Sequence, residues 1–145
     1  MSEVTPTATT RNEVTFALPT TRLLMSVALA AAMAGAGWVA VAIVIGQPPD
    51  VQWAGLMGAG VVLVVGVLGV LAMAPWRARP TSTWMTLWLA GTVIRMLAAP
   101  ALTFLLYFAT PLNAVALTLA VAVAYLIVLL TETVVISHSV SRATA

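Results

Sequence analysis

An all-α integral membrane fold, a four-helix bundle of two antiparallel transmembrane hairpins with both termini inside, is predicted by three features of the sequence. The 145 residues are 62% hydrophobic and 7% charged, with a mean hydropathy of +1.09. Soluble domains carry about 25% charged residues, so lipid must solvate much of this chain. Four apolar runs are each long enough to cross the roughly 30 Å hydrocarbon core. Five of the six arginines lie in the tails or in the connection between the second and third runs.

Residues 1–21 are rich in Ser, Thr and Pro without a sustained apolar period, and read as a mobile polar cytoplasmic tail. Residues 22–145 form the transmembrane domain. Arg22 opens the first span, about 23–45. Ala-x-Ala patterns between Ala30 and Ala36 raise a cleavable signal peptide, but the apolar run continues well past them and the polar lead-in is long. A retained span is therefore expected.

Gly46-Gln47-Pro48-Pro49-Asp50 reads as a turn, because proline lacks an amide donor and disfavours helix at the residue before it. The second span is about 53–74. Pro75-Trp76-Arg77-Ala78-Arg79-Pro80 ends it, and Thr81 or Ser82 is placed to cap the third, about 84–108. A turn at Thr110-Pro111 leads to the fourth, about 112–137. Such short connections predict consecutive helices as antiparallel neighbours.

Arg11 and Arg22 precede the first span, Arg77 and Arg79 separate the second from the third, and Arg142 follows the fourth. The other two connections carry no basic residue. The positive-inside rule then puts both termini and the middle connection in the cytoplasm, with Trp76 and Trp84 as interfacial anchors.

Helices gain nothing from hydrophobicity when they associate in lipid, so small residues that allow close approach mark the contacts. The first span carries Ser26, Ala30 and Ala34, and the fourth Ala116, Ala120 and Ala124, at intervals of four. Gly55, Gly58, Gly66 and Gly69 in the second span, and Gly91 in the third, are expected to serve helix packing.

Two ionisable residues fall inside spans. Arg95 lies about 16 Å below the cytoplasmic surface. An arginine there costs about 2.5–3.5 kcal/mol on insertion scales, so it should face the bundle and have a partner. Gly91, Thr92, Ala98 and Ala99 make a small, weakly polar face around it. Glu132, about 9 Å from the cytoplasmic end of the fourth span, is the expected partner. Helical side chains lean toward their own N-terminus, so the two converge from antiparallel helices. Tyr125, two turns from Glu132 on the same face, is placed to donate its hydroxyl. Pro100 should kink the third span beyond Arg95.

The remaining residues exclude several classes. With no cysteine and one histidine, His138, there are no disulfides, thiolate sites, cysteine nucleophiles or bis-histidine haem within one chain. Six scattered arginines make no nucleic-acid footprint. No catalytic constellation, cofactor motif or metal site is found, and an enzyme is not expected.

The stretch Trp88-Leu89-Ala90-Gly91-Thr92-Val93-Ile94-Arg95, with a glycine four residues before a basic one, resembles the third helix of the ATP synthase subunit I (ATP synthase protein I) family. The connection bearing Arg77 and Arg79, and the segment from Tyr125 to Glu132, also fit it. These are bacterial four-helix proteins of the inner (plasma) membrane. The resemblance implies an accessory assembly factor for the F-type ATP synthase, with c-subunits as partners and a role in magnesium supply. Two alternatives stay open: a small homo-oligomeric ion or small-molecule transporter using Glu132, and a membrane anchor holding a soluble partner by the N-terminal tail.

Overall fold

Four α-helices, each long and apolar enough to cross a membrane, make up the structure, a computed structural model that describes residues 15–144. They are α1 (Thr20–Val44), α2 (Pro49–Ala72), α3 (Thr81–Ala109) and α4 (Ala114–Thr144). A two-residue antiparallel pairing of β1 (Thr15–Phe16) with β2 (Arg79–Pro80) completes the fold. Residues 1–14 of the expected mobile tail lie outside the described residues.

The helix ends show local chemistry that refines the expected boundaries. Past α1, Gly46 takes φ +70°, and the amides of Gly46 and Gln47 donate to the carbonyls of Ile43 and Ala42 at 3.0 and 2.8 Å. This is the two-bond C-terminal cap that a left-handed glycine permits. The turn is shorter than expected, because Pro49 is the first residue of α2 and Asp50 sits in its first turn. A proline at that position loses no helical bond, and an acid there opposes the helix dipole favourably. The expected Thr81 or Ser82 cap is corrected: Pro80 occupies the capping position of α3. At α4, Asn113 Oδ1 accepts the Ala116 amide at 3.0 Å, an N-cap that starts the helix two residues later than expected.

The last residues of the expected tail are docked. Leu18 is buried, and its amide donates to the Pro75 carbonyl at 3.0 Å. The β1–β2 pair extends this contact, so the chain before α1 is clamped onto the α2–α3 connection. Arg79 stacks over Trp84, 5.6 Å from the ring centroid. Trp84 is 3% exposed and belongs to the core, which corrects its reading as an interfacial anchor; Trp76 is exposed.

α1, α2 and α4 pack mutually, whereas α3 lies mainly against α2 and meets α4 less closely. Only 17% of the apolar window of α3 is buried, against 44% for α2. The short Thr110–Asn113 connection therefore does not draw α3 and α4 together along their length.

Glycines explain why α2 is the central helix. A Cβ on Gly58 would lie 3.0 Å from Ala120 Cβ and 3.1 Å from the Val121 backbone nitrogen of α4. One on Gly66 would lie 2.8 Å from Val27 Cγ1 of α1, and Gly55 is covered by the Trp38 ring, whose Nε1 donates to the Val51 carbonyl at 2.9 Å. Gly35 of α1, absent from the expected packing set, faces Ala59 in the same way. Gly91 is a correction: a methyl there would make ordinary contact with Met73, 3.6 Å from its sulfur, so close packing does not require glycine.

Gly58→Ala is accordingly expected to destabilise the bundle by about 1–3 kcal/mol, because α4 backbone rather than a flexible side chain stands in the way. Gly60, where an added Cβ would meet open space, is the control. Gly60→Ala should leave stability unchanged or raise it by up to about 1 kcal/mol through helix propensity. Reversible unfolding in mixed micelles reads both; equal losses would reject close α2–α4 packing at Gly58.

Candidate functional site: a buried ion pair beside an apolar groove

The two intramembrane charges meet. Arg95 Nη1 lies 2.6 Å from both carboxylate oxygens of Glu132, and the residues are 4% and 1% exposed. α3 supplies the arginine and α4 the carboxylate, and α2 makes the path between them. The aliphatic part of Arg95 crosses α2 at Gly69, where any Cβ would collide with it. Gly69 thus serves the arginine rather than a helix–helix contact in general. Gly91 has a related use: its carbonyl accepts from Arg95 Nε at 3.2 Å.

Around the pair, polar groups are few. Tyr125 Oη donates to the Thr92 backbone carbonyl at 3.3 Å rather than to either charged residue. The Thr92 hydroxyl donates to the Trp88 carbonyl at 2.8 Å. Arg95 Nη2 and Trp88 Nε1 are buried and have no acceptor among the described residues. A small cavity bordered by Val62, Val65, Tyr125, Val128, Arg95 and Glu132 adjoins the pair.

From the level of Thr92 and Tyr125, a groove of about 780 Å³ runs between α3 and α4 toward Tyr107 and Ala114. Its walls include Ala99 and Thr103 on α3, and Ala114, Thr118 and Ala122 on α4. Pro100 lies on the same wall, within a continuous α3. The Thr103 and Thr118 hydroxyls are already bonded to carbonyls four residues back, at 2.7 and 2.8 Å. The groove consequently offers apolar surface and small side chains, with no free hydroxyl from these threonines. Its signal in the sequence was the small-residue spacing of both walls, which is indistinguishable there from ordinary bundle packing.

The described residues contain no group of three or more His, Asp and Glu side chains placed to hold a metal ion. Glu132 is engaged by Arg95, and Asp50 lies in the first turn of α2. Compared with known families, curated proteins and solved structures, the chain matches none.

Proposed function

We propose that the chain is a non-enzymatic accessory subunit of a membrane complex, which holds a transmembrane helix of another subunit in the α3–α4 groove during assembly. The groove is the observation that carries this reading. From Thr92 to Tyr107 it follows α3 for about 22 Å, most of the thickness of the hydrocarbon core. Ala99 and Thr103 on α3, and Ala114, Thr118 and Ala122 on α4, put small residues four apart on each wall, among larger ones such as Met96, Phe104 and Leu126. Such spacing allows the close backbone approach on which helix association in lipid depends.

The resemblance to the ATP synthase subunit I family names F-type ATP synthase c-subunits as the first partners to test. Arginine placement supports cytoplasmic termini, the short connections two antiparallel hairpins, and the resemblance a bacterial inner membrane. Against the transporter alternative, Glu132 is bonded to Arg95 and almost fully buried, so it is not presented to a substrate path.

Purification in mild detergent should recover a membrane subunit, identified by mass spectrometry, from cells making the wild-type chain. Ala122→Trp, which fills the groove without touching the ion pair, should lose it while keeping the wild-type melting temperature. Recovery of a clean homomer, or undiminished capture by the filled variant, would reject the reading.

A further inference from the structure

We infer that the cavity beside the Arg95–Glu132 pair is a binding site for one internal water, which accepts from Arg95 Nη2. A guanidinium has five N–H donors and is never deprotonated in proteins. In Arg95, Nε serves the Gly91 carbonyl and Nη1 serves both oxygens of Glu132. The two donors on Nη2 are buried with no acceptor among the described residues, in a side chain 4% exposed.

Buried polar groups without partners are rare because each forfeits its hydration. The shortage is most severe on a charged donor inside a bundle solvated by lipid. The cavity at this place has about 10 Å³ open to the centre of a water-sized sphere. That is close to the least volume that admits one water, and too little for a larger ligand. Its walls are mainly apolar, yet Arg95, Glu132 and Tyr125 all border it.

Those three side chains give a water the two to four polar partners that an internal site needs. The water accepts from Nη2 and donates to a free lone pair of the Glu132 carboxylate or to the Tyr125 oxygen. Tyr125 can accept because its single hydroxyl proton is already directed to the Thr92 carbonyl. The ion pair, the tyrosine and the water then form one network, which meets one of the two Nη2 donors. Each remaining donor or acceptor met in this way offsets part of the desolvation cost of a buried ion pair.

The test is magnetisation transfer from water to the side chain of Arg95 in the full chain, ¹⁵N-labelled at arginine in lipid nanodiscs. Arg95→Lys assigns the resonance. A direct transfer peak from water to the Nη2 protons is expected in the wild type. It should vanish in Val65→Leu, which fills the cavity, while the Nε signal keeps the shift of the paired state. Val128→Ile fills the same space from α4 and replaces Val65→Leu if that variant does not fold. Absence of the peak in the wild type would overturn the inference, whatever the variants do. So would a peak of undiminished intensity in a folded, cavity-filled variant.

Discussion

Glu132→Leu alone is expected to destabilise the bundle by about 3–5 kcal/mol, because it leaves the Arg95 guanidinium buried without its counter-charge. Arg95→Leu should cost a similar amount by stranding the carboxylate. The double variant Arg95→Leu/Glu132→Leu should return to within about 1–2 kcal/mol of the wild type, since apolar residues of similar volume commonly replace a buried pair at little cost. Glu132→Gln keeps one acceptor for Nη1 but loses the charge, and should fall between, at about 1.5–3 kcal/mol. A double-mutant cycle measured by unfolding in mixed micelles gives the coupling directly. A loss below about 1 kcal/mol for Glu132→Leu would remove the pair from the account of stability.

The same double variant separates two roles for the pair. If it folds normally and still captures the partner subunit, the pair is a latch that sets the register of α3 against α4. If it folds normally and loses the partner, the pair acts in docking. Either result is informative because the apolar replacement keeps the bundle intact.

The parts of the fold that were legible in the sequence are those where lipid punishes alternatives. A charge inside a span must find a partner, so Arg95 and Glu132 could be matched from depth and side-chain lean alone. The four spans were legible because apolar length is itself the requirement for crossing. The loose fit of α3 was not, because an apolar residue in a membrane reads the same whether it faces lipid or a neighbouring helix. Trp84 is a clear instance: its place beside the arginine-rich connection suggests an interfacial anchor, yet Arg79 and the core enclose it. Leu18 was equally hidden, since one leucine in a polar segment has no period to betray its burial.

Gly69 shows a finer limit. As a glycine of the second span it was expected to serve helix packing, but the group it accommodates is the Arg95 side chain, which no pattern within α2 announces. The consequence is testable and large. A Cβ at position 69 would collide with Arg95 Cδ and lie 2.9 Å from its Nε, closer than real Cβ contacts come. The arginine cannot move away without loosening its hold on Glu132 or the Gly91 carbonyl. Gly69→Ala is therefore expected to cost about 1–3 kcal/mol, and Gly69→Val more, approaching the cost of breaking the pair outright.

Ordinary crowding would give the same loss in any background, so the deciding measurement is the substitution repeated without the arginine. In an Arg95→Ala/Glu132→Leu background, Gly69→Ala should cost less than about 0.5 kcal/mol or be mildly stabilising, since alanine has the better helix propensity. Alanine rather than leucine is needed at position 95, because a leucine Cγ would occupy nearly the place that crowds the new methyl. A loss unchanged in that background would mean that Gly69 is required by α2 itself. The arginine would then cross a gap present for another reason.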